Sequence, residues 1–273
     1  MTECSRLHAI GFACELTRAT AEFIARIAKD DSKRIRCRTG EYRVWQLPRG
    51  AEIWLHYPWP VGCLRPANDQ HPFDPISDLK GLSAFHSGAS SIEMLLERSV
   101  VASASNRLDG VCCASLPAIQ GRGRAVPFTF EQIGFAIDPV EQPVRARVQI
   151  SGLAHKVWAY ESEKAYLAAS PSRRLVGRGA MLPVEPDEIK DVRLLYRGHP
   201  ETLWLVTGKV RRATRMVSAE VGTAYAWMLL ETDRGDIDII ANPDVLFGNV
   251  AMGHTVVAVV SMTGRILERL GPQ

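Results

Sequence analysis

Four segments decide how this chain folds: Leu203-Trp-Leu-Val-Thr-Gly-Lys-Val210, Ala224-Tyr-Ala-Trp-Met-Leu-Leu-Glu-Thr232, Asp236-Ile-Asp-Ile-Ile240 and Thr255-Val-Val-Ala-Val-Val-Ser-Met-Thr-Gly-Arg-Ile266. They are rich in β-branched and aromatic residues, which suit a pleated surface. In the second segment Tyr225, Trp227 and Leu229 point to one side, and Ala226, Met228 and Leu230 to the other. Both faces are apolar, as expected of a strand buried on two sides. Thr232-Asp233-Arg234-Gly235 supplies a turn, with Gly235 free to take a positive φ. In the third segment Asp236 and Asp238 alternate with Ile237 and Ile239, which predicts one acidic, wet face. Asn242-Pro243-Asp244 ends that strand and starts a short helical turn through Leu246, and Gly253 opens the last strand.

Working towards the N-terminus, His155 to Ala169 reads as a helix ended by Ser170-Pro171. Arg145–Ile150, Phe128–Ile137, Val111–Leu116 and Ile92–Val101 read as strands. Pro58 to Ser90 is irregular and rich in proline, glycine and aromatic residues, a pattern often functional in compact domains. Strands Ala51–Tyr57 and Glu41–Leu47 flank the turn Pro48-Arg49-Gly50. A helix from Thr17 or Thr20 to Asp30 places Thr20, Phe23, Ile24, Ile27 and Ala28 on one face, and His8–Phe12 reads as a strand before it. Pro171 to Asp187 is punctuated like a linker. The expected fold class is therefore α+β. A mixed α/β N-terminal domain spanning 1–187 is followed by a small β-barrel domain spanning 188–273.

The 273 residues are 46% hydrophobic, enough for a sizeable core, and carry a formal net charge of +3. That charge is too small to argue for nucleic acid without clustering. The six cysteines contain no CxxC pair, which argues against a structural zinc site. The start of the chain has no apolar signal-like region. The longest apolar run, Val256–Val260, is far short of a bilayer span. A cytoplasmic protein with reduced thiols, no cofactor and no membrane partner is expected.

The order of elements from about residue 200 to 270 resembles the five-stranded OB-fold barrel: long first strand, hairpin, short helical connection, then a strand ending in Gly264-Arg265-Ile266. Four strands are evident. The fifth must come from dividing Thr255–Leu270 at Gly264, or from chain before Thr202. The N-terminal part more loosely resembles the βαβββ module of the vicinal-oxygen-chelate group, which includes glyoxalases. Strand His8–Phe12, helix Thr17–Asp30 and strands Glu41–Leu47 and Ala51–Tyr57 carry that likeness. It implies a divalent metal held by His8 and Glu52.

Three readings of function follow. A protein or small ligand would meet the irregular segment and its borders, where His56, Tyr57, Trp59, His71, Phe73 and His86 gather aromatic area and adaptable hydrogen bonds. Single-stranded nucleic acid would lie on the barrel, with phosphates on Lys209, Arg211 and Arg215 and bases on Trp204, Tyr225 and Trp227. A metal-dependent enzyme would use His8 and Glu52. Gly121-Arg-Gly-Arg124 and Arg173-Arg-Leu-Val-Gly-Arg178 match no phosphate-loop or dinucleotide fingerprint and read as solvated loops. Ser-His-Asp order, HExxH and GxSxG are absent, so binding without catalysis is the leading expectation.

Overall fold

The computed structural model describes residues 7, 9–10, 18–47, 50–60, 73–117, 125–169, 180–183, 200–217 and 224–271. Helix α1 (Arg18–Arg26) continues into a π-helical turn, Ile27–Asp31. Strands β1 (Lys33–Cys37), β2 (Gly40–Gln46), β3 (Ala51–Pro58) and β4 (Gly81–His86) follow, and form a four-stranded antiparallel sheet in chain order. Then come β5 (Ile92–Ser103), β6 (Asn106–Leu116), β7 (Val126–Gln132), β8 (Val144–Tyr160), helix α2 (Glu163–Ala169), β9 (Met181–Pro183) and β10 (Leu203–Val217). The chain continues through β11 (Ala224–Thr232), β12 (Gly235–Ala241), a 3-10 turn at Pro243–Val245, β13 (Leu246–Phe247) and β14 (Thr255–Gly271). Strands β5 to β14 make one ten-stranded sheet.

That sheet closes on itself twice. One ring of five runs β5, β6, β7, β14, β8 and back to β5, with β7 and β14 parallel. The other runs β10, β11, β12, β8, β14 and back to β10, with β12 and β8 parallel. The two rings share the 17-residue strands β8 and β14. Each shared strand serves one ring with its first half and the other with its second. Segments 92–160 and 203–271 thus repeat one plan about a local twofold at the middle of the β8–β14 ladder, where Ser151 faces Thr263 and Gly152 faces Met262. The register agrees. Val111 pairs Glu131, which pairs Thr263; Leu229 pairs Asp238, which pairs Ser151. Even the irregularity repeats, between Leu96 and Arg98 on β5 and between Val210 and Arg212 on β10.

Two glycines let the shared strands cross the rings. A side chain at Gly152 would meet Ile239 at 2.7 Å, and one at Gly264 would meet the Phe130 ring at 2.5 Å. Both sit where a shared strand meets the parallel strand of its ring, and glycine in a strand permits that close approach. A single core cluster fills both interiors, from Ile92, Phe128 and Phe130 to Met228, Ile239, Val256 and Met262. Every residue from Thr255 to Thr263 is buried, the state of a strand covered on both faces.

The small sheet bridges the rings. One face carries Tyr42, Val44, Trp54 and Phe85 and packs on Leu108 and Ile133 of the first ring. The other carries Ile53, Leu55 and Leu82 and packs with α1 on Leu153, Met216, Tyr225 and Ile240 around the second ring. Tyr225 and Trp227 therefore face this second cluster while Met228 and Leu230 face the ring interior.

The α+β expectation, with a mixed α/β N-terminal domain, is overturned. The described chain is mostly β, with α1 and α2 as two short α-helices beside isolated turns. The helix expected over His155–Ala169 is strand as far as Tyr160 and helical only over α2. Residues 156–160 pair with β14, and that ladder overrides their local preference. The βαβββ module is not shown either. Ala9 is helical and Ile10 lies in a turn, where a first strand was expected, and all pairs in the small sheet are antiparallel. Residue 187, the expected domain boundary, lies outside the described residues, and strands from before and after it share the large sheet. Among the described residues no helix is long and apolar enough to cross a membrane.

Candidate functional site

The second ring opens at one end into a cleft of about 370 Å³. Its floor is Ala213, Ala226, Leu246 and Val250, partly buried residues packed on the ring core. Its rim includes Arg215 from β10, Trp227 from β11 and Asn249 from the connection before β14. The connection is set by local chemistry. The Asn242 side chain accepts from the Asp244 N–H at 3.0 Å, and Pro243 has the fixed φ that the first helical position needs. Gly248, at φ 92°, packs so tightly that a side chain there would meet the Ala159 carbonyl oxygen at 2.6 Å.

Trp227 is held from behind. Its indole N–H donates to Asp238 Oδ1 at 2.8 Å, and its ring stacks on His86 with centroids 5.9 Å apart. Asp238 is fully buried and also accepts from the Ser90 N–H at 2.8 Å and the Ala89 N–H at 3.3 Å. A buried carboxylate is stable only with such donors around it. The expected wet acidic face is thus divided, since Asp238 is an internal anchor and only Asp236 turns outward.

The three cations proposed from sequence part company. Arg211 donates to Glu231 Oε1 and to Asp236 Oδ2, each at 3.1 Å. The hydrogen bond from Arg211 holds the Glu231 carboxyl below its usual range, and the same contacts raise the Arg211 guanidinium. Lys209 stands opposite Glu231 in the ladder. Arg215 lines the cleft, is exposed, and makes no ion pair among the described residues. Of the aromatics, Trp204 is buried and donates to the Thr129 carbonyl at 3.0 Å, and Tyr225 is buried between the ring and the small sheet.

A second aromatic surface lies on the other side of the Leu246–Phe247 strand. Trp158 and Phe247 stack with centroids 6.5 Å apart, and Lys156 Nζ lies 5.2 Å and 5.6 Å from their centroids. Phe247 is half exposed. Sequence reading missed this pair because Phe247 belongs to a two-residue strand, and Trp158 sits in a stretch read as helix.

The residues gathered around the irregular segment do not meet in one place. His71 and His8 lie outside the described residues, as do Arg122, Arg124, Arg173, Arg174 and Arg178. Trp59 is half-buried, its N–H on the Thr39 carbonyl at 2.9 Å. Tyr57 is buried, with Phe73 edge-on at 5.1 Å, and the Arg43 guanidinium lies 3.7 Å from the Phe73 centroid. Burial pushes the Tyr57 phenol well above its usual range.

His56 is buried in a polar chain joining the small sheet to the first ring. Asn106 Nδ2 donates to His56 Nδ1 at 3.1 Å, and Leu108 N–H on Asn106 Oδ1 fixes that amide orientation. Ser83 donates to Glu131, so the 3.2 Å contact from His56 Nε2 to Ser83 Oγ runs from imidazole to hydroxyl. A serine nucleophile needs the reverse, a histidine nitrogen free to take its proton. This arrangement is built as a connector.

Glu52 is buried and accepts from Trp54 Nε1 at 2.8 Å and from Arg265 Nη1 at 3.1 Å and 3.2 Å. Its oxygens serve an ion pair between the small sheet and β14. Among the described residues no three His, Cys, Asp or Glu side chains converge as metal ligands.

No family model matches the chain, and no curated protein does. A solved structure of a deletion mutant of the single-stranded DNA binding protein from Thermus aquaticus aligns with 68% of this chain and 95% of its own, at 10% identity and a TM-score of 0.20. That score is too low for an argument about fold or function.

Proposed function

We propose that this is a non-catalytic binding protein that takes an anionic ligand with a flat or apolar body at the open end of the second ring. The cleft carries the reading. It has an apolar floor, an indole fixed by Asp238 and His86, and the exposed guanidinium of Arg215 on its rim. Its volume is in the range of small-molecule pockets, and barrel mouths commonly hold them. An OB-like reading of this ring agrees, since five strands close it and a short helical turn precedes its fourth. The fifth strand is the second half of β8, from well before Thr202. Calorimetry with adenosine monophosphate and with adenosine tests the reading. Binding of the phosphorylated compound alone, lost in R215E, supports it; equal binding of both, or none, sinks it.

Single-stranded nucleic acid is a second reading of the same ring, favoured by the Trp158–Phe247 stack beneath Lys156. It predicts an affinity that falls steeply with salt and drops in K156E. An affinity indifferent to salt ends it.

A further inference from the structure

The first ring carries a cleft at the corresponding place. It measures about 360 Å³ and is lined by Val101 on β5, Arg107 on β6, Phe135, Ala136 and Pro139 in the connection before β8, and Arg38 from the β1–β2 turn. The register makes the correspondence specific. Val101 pairs Gly110 in the first ring as Ala213 pairs Met228 in the second, and Val101 and Ala213 each line their own cleft. Where Met228 stands in the second ring, the first ring has a glycine with an aromatic ring laid over it. A side chain at Gly110 would meet the Phe135 ring at 2.2 Å. An aromatic group lines each cleft, Trp227 from a strand in the second ring and Phe135 from the connection before β8 in the first.

The charge corresponds as well. Arg38 and Arg107 are exposed and, among the described residues, neither makes an ion pair. Nearby, Asp138 is already engaged by Arg269 at 2.5 Å. Arg38 also ends a run of exposed cations, Lys33, Arg34 and Arg36, on the edge strand β1, of which Arg36 is paired with Glu41. Two guanidinium groups on one rim present planar forks of donors, which suit a phosphate better than a single charge does.

We infer that the first ring holds a second ligand site, framed by Arg38, Arg107 and Phe135, for the phosphate and flat body of a nucleotide unit. The inference rests on the reading of the second ring as an anion-binding site. The protein then binds two nucleotide units, one in each ring.

Native mass spectrometry and calorimetry with adenosine monophosphate count the sites, on the full chain and on R215E, R38E/R107E and the triple variant. The expected occupancies are two, one, one and none. All the substituted side chains are exposed, and circular dichroism checks that each variant folds. If R215E alone abolishes binding and R38E/R107E binds like the parent, the second site falls while the reading of the first stands. If the parent binds nothing, both fall. A single-stranded oligonucleotide distinguishes the source of the nucleotide unit. Binding about a hundredfold tighter than the monomer, lost when either cleft is substituted, assigns the pair of sites to a strand. Equal affinity for both probes assigns them to free nucleotides.

Discussion

Thr263 donates its hydroxyl to the carbonyl oxygen of Ser151 at 3.0 Å, and these two residues face each other at the point where one ring passes into the other. Neither has any exposure to solvent. The contact sits on the local twofold, so it belongs to both rings equally. The rings also share β8, β14 and one continuous core, so neither can melt while the other keeps its closing strands.

Unfolding in urea is therefore expected to be a single transition, coincident by far-ultraviolet circular dichroism and tryptophan fluorescence. Thr263→Val keeps the shape and removes the hydroxyl, which costs about 1 kcal/mol. It should move the whole curve to lower urea with an unchanged slope. Two separated transitions in either protein would show that the rings are independent after all.

Arg265 on β14 reaches across to Glu52 in the small sheet, and also donates to Ser87 Oγ at 2.8 Å and Gln149 Oε1 at 3.0 Å. Its guanidinium lies 4.8 Å from the Phe85 ring centroid. Removing it leaves Glu52 buried with Trp54 and Gln46 as its remaining donors among the described residues. Arg265→Met should cost about 3 kcal/mol, and adding Glu52→Gln should return a large part of it, because an uncompensated buried charge is worse than none. Urea denaturation of the parent, both single variants and the pair closes this cycle. Equal stability of the single and double variants would mean that Glu52 is not stabilised by Arg265.

Some of this architecture could be read from residue order and some could not. The alternation in 225–230, with apolar side chains on both faces, corresponds to a strand between two cores. The turn at Gly235, φ 123°, and the Asn242-Pro243 start of a short turn were equally local and equally legible. What stayed hidden depends on long-range pairing. Residues 155–160 look helical until β14 is laid beside them. The repeat is invisible because its halves share register but not residues, as Gly110 and Met228 illustrate. The aromatic and imidazole residues around 56–86 drew attention by composition. Burial disperses them, with His56 in the polar connector, His86 behind Trp227 and Tyr57 beside Arg43. Arg38 and Arg107 are separated in sequence by 69 residues and meet only because the small sheet packs on the first ring.

The neighbouring thiols of Cys112 and Cys113 should behave differently. Strand alternation buries Cys112 in the core and leaves Cys113 half-buried. Burial pushes the Cys112 thiol up to about 12, from an ordinary value of 9.0. Maleimide labelling followed by peptide mass spectrometry should find Cys113 modified in the folded protein and Cys112 protected until it unfolds. The sign for stability follows from linkage. The folded value lies above the unfolded one, so this thiol's contribution is complete below about pH 9 and is lost as pH rises towards 12. Cys112→Ala should weaken the alkaline loss of stability in that window. An identical alkaline limb in parent and variant would remove Cys112 from the account.

Arg211 and Arg215 lie four residues apart on β10 and offer the sharpest comparison for the site itself. Arg211 is held between Glu231 and Asp236, so its charge is already spent within the ring wall. Arg215 stands on the cleft without such partners among the described residues. Arg215→Glu should lower affinity for a phosphate-bearing ligand at the second ring by at least about tenfold and leave thermal stability nearly unchanged. Arg211→Glu should do the opposite. It gathers a third carboxylate beside Glu231 and Asp236, so the melting temperature should fall, most at low salt, while affinity for the ligand changes little. Melting curves at low and high salt, alongside titrations of both variants, read the two effects separately. Equal losses of affinity from the two substitutions would place the ligand along the exposed face of β10 and away from the cleft.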